Sequence, residues 1–231
     1  PITMPIATAG TCTGAFPADS QWIPVRSPTG GLLTDALADV GSGADNTNQD
    51  IYGTEATATS PAGSAIDWYS KGTSGCFQFR MRIAASAVNG SRIDNNLWIV
   101  GLGTGSTTSA YVVVDGENSG DNYTRIDNSA GVLKFSYAFS LLGSNTTYGF
   151  ATSVGSGAST KYYVYMQVPY DDLSTLFSGS TIFGFFAGTS QANSFSSINK
   201  DCLFVASASC GSPSYTNSQK ADLSQDVSSA V

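Results

Sequence analysis

Apolar and polar positions alternate along much of this chain with a period of two. In CFQFRMRIA (76–84), Phe77, Phe79, Met81 and Ile83 fall on one side, and Gln78, Arg80 and Arg82 on the other. That period is the signature of a strand whose two faces meet different surroundings. Further strand-length runs follow: NLWIVGLG (96–103), AYVVVDG (110–116), TRID (124–127), VLKFSYAF (132–139), TTYGFAT (146–152), KYYVYMQVP (161–169), STIFGFFAG (180–188) and DCLFVAS (201–207), with AIDWY (65–69) ahead of them. Each is rich in β-branched and aromatic residues and is bounded by Gly, Asn, Ser or Asp. The rhythm predicts an all-β protein, an antiparallel β-sandwich of jelly-roll-like type. The best helix candidate is YDDLSTLF (170–177), with Asp171 or Asp172 as its cap. No fixed period repeats. The expected organisation is one sandwich domain over 17–211, an extended arm over 1–16 and a polar tail over 212–231.

In the arm, Ile2, Met4 and Ile6 alternate, while Pro1 and Pro5 leave out backbone donors. A strand of that kind belongs at a sheet edge. It would supply main-chain hydrogen bonds and alternate apolar knobs to the open edge of an identical subunit. Behind it, Trp22-Ile-Pro-Val25 leads into GGLLTDALADVGSGADNTNQD, read as a loop with at most one helical turn.

Composition narrows the function. Hydrophobic residues make up 41% of the 231, enough for a core, but charged residues make up only 12%, about half the usual share of roughly 25%. Ser, Thr, Gly, Asn and Ala fill the difference, as in many extracellular β proteins. Net charge is −7 with ten Lys and Arg in all, too few and too scattered for a nucleic-acid footprint. No run approaches the roughly 20 apolar residues of a membrane helix. There is no histidine, which removes Ser-His-Asp and Cys-His catalysis and His-ligated zinc. No catalytic motif emerges.

Cys12, Cys76, Cys202 and Cys210 lack metal-site spacing. An even count in such a chain suits two disulfides in an oxidising compartment. Of the three connectivities, Cys12–Cys76 with Cys202–Cys210 is favoured, the second as a local clip. Pro1 without an initiator Met reads as a processed mature form. Sequons stand at Asn89, Asn122 and Asn145, all in expected turns.

Five groups of residues are candidates for a functional or pairing role. Asp35, Asp39, Asp45 and Asp50 crowd one loop, and in DNTNQD the side chains of Asp45, Asn46, Asn48 and Asp50 offer oxygens as calcium loops do. DGENSGD is a second such turn, with Asp115, Glu117 and Asp121; solvated turns use the same residues. Asp171, Asp172, Asp94 and Glu117 are the carboxylates by type for hydrolysis. Trp22, Trp68, Trp98, Tyr163 and Tyr165 are candidates for a glycan-stacking platform, against the alternative of core packing. Arg80 and Arg82 are expected to pair with carboxylates on adjacent strands, Asp67 or Asp127.

The motifs Trp22-Ile-Pro-Val, Asp50-Ile-Tyr-Gly, Phe77-Gln-Phe-Arg-Met-Arg-Ile, Asn96-Leu-Trp-Ile-Val, Val168-Pro-Tyr-Asp-Asp-Leu and Phe186-Ala-Gly-Thr-Ser, the last ahead of Asp201, resemble in their order a group of secreted bacterial cell-surface and matrix β-sandwich modules. The likeness covers about residues 20–205. It implies a non-catalytic cell-surface role and transfers no catalytic residue. The acidic turn usual after the Leu-Trp strand is replaced here by LGTGSTTSAYVVVDG, so no metal site carries over. The combined expectation is a secreted structural subunit that polymerises by strand exchange. The alternative is a carbohydrate-binding or adhesin module stabilised by calcium.

Overall fold

The structure, a computed structural model, describes residues 12, 15–26, 31–40, 47–56, 62–70, 75–104, 107–116, 122–141, 146–177, 182–191, 198, 200–203 and 221–222. The arm residues Ile2, Met4 and Ile6, most of the 212–231 tail, and Asp45, Asn46, Glu117, Asp121, Asn145 and Cys210 lie outside the described residues.

Two antiparallel sheets face one another. The first has five strands in the order β1 (Ile23–Pro24), β2 (Ile66–Ser70), β3 (Cys76–Ile83), β11 (Lys161–Pro169) and β10 (Gly149–Val154). The second runs β13 (Asp201–Cys202), β12 (Ile182–Gln191), β6 (Asn96–Thr104), β7 (Thr107–Asp115), β8 (Asn122–Asn128) and β9 (Leu133–Phe139), with β14 (Ala221–Asp222) pairing to β12. A small hairpin joins β4 (Val88–Asn89) to β5 (Arg92–Ile93). The β-sandwich read from the alternation is therefore present. Strands β6 to β9 form the consecutive hairpins that the regular turn spacing announced. The one α-helix among the described residues, α1 (Tyr170–Ser174), is a single turn. It begins before either aspartate, with Pro169 at its cap position and no side-chain cap bond, so Asp171 and Asp172 lie in its first turn instead. Proline suits the approach, since its fixed φ and missing N–H cost nothing ahead of a helix.

The core lies between the sheets. Phe77, Phe79 and Met81 of β3, with Trp68 of β2, meet Trp98, Val100 and Leu102 of β6 and Phe185 of β12. Trp68 stacks on Phe77 at 5.8 Å between ring centroids, and Phe79 meets Phe185 edge-on at 5.9 Å. Along one flank the sheets close tightly. A Cβ at Gly149 of β10 would lie 2.3 Å from the Phe139 ring of β9, so only glycine fits there.

The outer faces are also covered. Leu97 and Ile99 of β6 and Tyr111 and Val113 of β7 point away from the core, yet all are buried, with Ile198 against them. This accounts for the unbroken apolar runs at 97–100 and 111–114. Strands buried on both sides lose the clean alternation of a half-wet sheet. Every residue of β3 is buried, including Gln78, Arg80 and Arg82. The polar side of this strand is covered as well, by residues 15–26 over Gln78 and Arg80 and by Tyr52 and Gly63 at Arg82. Phe16 and Trp22 pack there on Tyr165, and the short 3-10 turn Asp19–Gln21 brings a carboxylate down onto Arg80.

Register places Asp67, Arg80 and Tyr165 on one rung across β2, β3 and β11. Arg80 Nε donates to Asp67 Oδ2 at 2.6 Å and Nη1 to Asp19 Oδ1 at 2.5 Å. Its guanidinium lies 4.1 Å from the Tyr163 ring centroid and 4.9 Å from that of Trp22. Of the two partners expected from sequence, Asp67 is the one used. Asp127 pairs with Arg125 at 2.7 Å, because both stand on one face of β8, in the other sheet. Arg82 lies over the Tyr52 ring at 4.4 Å.

The covering segment is tied down covalently. Cys12 and Cys76 form a disulfide across 64 residues. A loop of that length constrains the unfolded chain by about 4 kcal/mol in the chain-entropy account. Cys202 is also disulfide-bonded, and Cys210, its expected partner, lies outside the described residues.

Removing one partner of a buried ion pair leaves the other charge stranded, at a cost of about 3–5 kcal/mol. Arg80→Ala is expected to lose stability on that scale in urea titration. The double substitution Arg80→Met with Asp67→Leu should lose much less. A single-variant loss under about 1 kcal/mol, the value of an exposed pair, would show that the rung is not buried.

Candidate functional site

Three stretches of chain bring carboxylates together beside β13. Asp35 is held by a bridge to Gly53, whose N–H donates to the Asp35 carbonyl at 3.3 Å and whose carbonyl accepts the Asp35 N–H at 2.9 Å. A Cβ at Gly53 would lie 2.1 Å from the Leu33 carbonyl oxygen, so this close crossing of backbones requires glycine. Asp39 follows Ala38, which adopts φ +65°, a left-handed conformation that costs a non-glycine residue on the order of 1 kcal/mol. Asp50 ends the loop and accepts the Ala38 N–H at Oδ2, 2.7 Å away. Asp201, on β13, accepts the Ile51 N–H at 2.5 Å and the Cys202 N–H at 2.7 Å.

Ligand oxygens of Asp35, Asp39 and Asp201 all lie within 4.8 Å of one another. Asp35, Asp50 and Asp201 are buried and Asp39 is half-buried. Burial pushes the Asp50 carboxyl up to about 6 against a backbone donor, and Asp39 raises it further. Asp201 is pushed up to about 7, mainly by burial, with Asp39 and Asp50 adding to the rise while only the backbone N–H groups of Ile51 and Cys202 oppose it. Asp39 is raised too, chiefly by burial. These are carboxylates set close together in a site that disfavours their charge.

The adjoining loop is bolted to the second sheet. Thr189 Oγ1 donates to the Gln49 carbonyl at 2.7 Å, Gln49 Nε2 to the Ser190 carbonyl at 2.9 Å, and the Trp98 indole N–H to the Asn48 carbonyl at 2.9 Å. Several buried oxygens nearby have no donor among the described residues: Asn48 Oδ1, Gln49 Oε1, Asp39 Oδ1 and Asp50 Oδ1.

The calcium residues expected from sequence are thereby redistributed. Asp50 lies next to the carboxylate group, bonded to the N–H of Ala38 and followed by Ile51, whose N–H binds Asp201. The Asn48 amide instead donates to Asp94. Asp115 is bound to Arg125 at 2.5 Å, because Arg125 on the neighbouring β8 forks between Asp115 and Asp127; the rest of that turn lies outside the described residues. Asp201 was missed in this role. It stands about 150 residues from Asp50, and its one local signal is a charge opening an apolar strand.

The carboxylates named for hydrolysis are dispersed. Asp171 is exposed, Asp172 is buried and accepts the Tyr137 hydroxyl at 2.6 Å, and Asp94 accepts the side-chain amides of Asn48 and Asn89. Nor do the five aromatics form one exposed platform. Trp68 and Trp98 sit in the inter-sheet core, whereas Trp22, Tyr163 and Tyr165 form a buried cluster on the outer face of the first sheet. Beside that cluster lies a cleft of about 240 Å³ lined by Asp19, Trp22, Asp67, Arg80, Lys161 and Tyr163. Among the sequons, Asn89 is exposed, while Asn122 is buried and accepts the Ile93 N–H. No helix among the described residues is long and apolar enough to cross a membrane. Comparison with protein-family models, curated proteins and solved structures finds no match.

Folded-state values above the unfolded carboxylate value mean that the native state binds these protons more tightly. Their contribution to stability is full below about pH 4 and is lost as pH rises through 6 and 7. In chelator, the urea midpoint is therefore expected to fall between pH 5 and pH 8, and Asp50→Asn should flatten that fall. A midpoint that rises over the same interval would contradict the reading.

Proposed function

We propose that this chain is an extracellular structural subunit that assembles with identical copies by strand addition, its 1–11 segment pairing with a sheet edge of the next copy. The observation that carries the reading is where that segment is rooted. Cys12 is stapled to the first residue of β3, and its N–H donates to the Tyr148 hydroxyl at 3.3 Å. Tyr148 immediately precedes β10, and β10 ends the five-stranded sheet. The root therefore stands at one end of the first sheet, within reach of a side chain from the residue that precedes its edge strand. Eleven extended residues reach about 35 Å, far enough to leave the parent body.

Three further features support the reading. Ile2, Met4 and Ile6 carry the alternation that strand addition uses for pocket recognition. Disulfides persist in oxidising compartments outside the cytosol. A surface poor in charge lowers repulsion between identical copies packed side by side.

A second reading, a carbohydrate-binding module, is favoured by the 240 Å³ cleft. There, aromatic rings border the Arg80–Asp67 pair and Lys161, a mixture of apolar and hydrogen-bonding surface that suits a sugar. A glycan array on the wild type and on Lys161→Ala tests it. The reading expects hits that weaken in the variant, and silence on the array removes it.

For assembly, light scattering after size exclusion and negative-stain imaging compare the full chain with a deletion of residues 1–10, which retains Cys12. The full chain is expected to form polymers at high concentration and the deletion to remain monomeric. A monomeric full chain, or polymers that survive the deletion, would overturn the proposal.

A further inference from the structure

The carboxylates beside β13 gather like charge away from water. Asp35, Asp39 and Asp201 bring ligand oxygens within 4.8 Å of one another, and the backbone ties Asp50 to them: its Oδ2 accepts the N–H of Ala38, next to Asp39, and its neighbour Ile51 gives its N–H to Asp201. Like charges this close, held out of water, repel strongly. Yet the backbone secures them in place. The N–H groups of Ala38, Ile51 and Cys202 each fix a carboxylate oxygen of Asp50 or Asp201.

We propose that Asp35, Asp39, Asp50 and Asp201 bind a calcium ion that clamps β13 to the 35–50 loop. A second observation, separate from the clustering, points to a cation. Asp50 is only 2% exposed, and while its Oδ2 accepts the Ala38 N–H, its Oδ1 has no hydrogen-bond partner among the described residues. Buried carboxylate oxygens are ordinarily satisfied, because stranding one costs the full desolvation of that atom. Asp39 Oδ1 is stranded as well, and in the same loop so are Asn48 Oδ1 and Gln49 Oε1. All four of these atoms are acceptors. A shortage confined to donors is met by a positive ion.

The donor set selects the ion. All the ligands are oxygens from carboxylates, in a chain without histidine and with no free cysteine among the described residues. Hard cations take such sets, and thiolate- or imidazole-seeking metals do not. Calcium accepts six to eight oxygens at about 2.3–2.6 Å in irregular geometry, with carbonyls and water completing the shell. Magnesium demands a small, regular octahedron. Residues gathered from three separate segments, one of them a strained turn, suit the larger and more tolerant ion.

The clamp has a structural consequence. Asp201 precedes the disulfide-bonded Cys202 and pairs with Thr189 of β12, while the loop is bonded to β12 at Thr189 and Ser190. Calcium at this point closes the edge of the second sheet against the loop, so the region is expected to loosen when calcium is removed.

The test uses the full chain, stripped with EDTA and dialysed. Isothermal titration with calcium chloride is expected to show one ion per chain, and calcium at millimolar concentration to raise the melting temperature by several degrees, magnesium by less. Asp39 is half-buried, and neither of its carboxylate oxygens caps another residue's N–H in the bonds described above, so Asp39→Asn should fold. It is expected to weaken calcium binding at least tenfold and, in EDTA, to melt no lower than the wild type, because it removes repulsion. Asp171→Asn, at an exposed site, should bind calcium as the wild type does. No heat and no calcium-dependent shift in the wild type, or wild-type affinity in Asp39→Asn, would overturn the assignment.

Discussion

A buried arginine sets the terms for the first sheet. Arg80 stands in the middle strand of the five, on the face turned away from the core, and is 5% exposed. A guanidinium cannot be buried without partners, since taking a charge out of water costs several kcal/mol. Asp67 supplies one from the adjacent strand. Asp19 supplies the other, and it does so only if residues 15–26 lie across the sheet. Trp22, Tyr163 and Tyr165 then enclose the ion pair. The cover over the sheet, with the staple from Cys12 to Cys76 that holds its start, goes together with satisfying that one cation.

The chain is poor in charge, yet it puts much of that charge to use inside. Arg80 with Asp67 and Asp19, and Arg125 with Asp115 and Asp127, are ion pairs at opposite ends of the molecule's logic: the first holds a covering segment to one sheet, the second braces neighbouring strands of the other. Burial raises the Asp67 and Asp127 carboxyls, and the attached arginines pull them back down. Among the described residues, no ion pair to an arginine is seen for Asp39, Asp50 or Asp201. Among the described residues they gather buried charge of a single sign, and the calcium ion proposed above would give them the counter-charge that arginine provides elsewhere.

Much of the strand plan was legible along the chain. The runs at 76–84, 96–103, 124–127, 132–139 and 161–169 coincide closely with strands β3, β6, β8, β9 and β11, because alternation, β-branched content and turn residues all agree there. The pairing of Arg80 with Asp67 was also legible, since cross-strand neighbours are a local matter. Less legible was the boundary of α1, where proline opened the turn before the aspartates expected to cap it. The aromatics were ambiguous for a different reason. A Trp or Tyr on a strand serves a core or a binding face equally well, and only the opposing layer tells which.

The sequence by itself determined the periodicity of the strands, the identity of the residues facing the core and the concentration of Asp35, Asp39 and Asp50 in one loop. These are consequences of local backbone geometry, in which neighbouring side chains alternate whatever lies above them. The tertiary structure decided what covers each face and which distant group completes each cluster. Arg80 became an interior residue because a segment some 60 positions earlier folds over it, Arg82 because Tyr52 and Gly63 meet its guanidinium, and Asp201 met the acidic loop because β13 lands beside it. Burial and charge proximity depend on chain crossings of long sequence separation, and no local pattern encodes those.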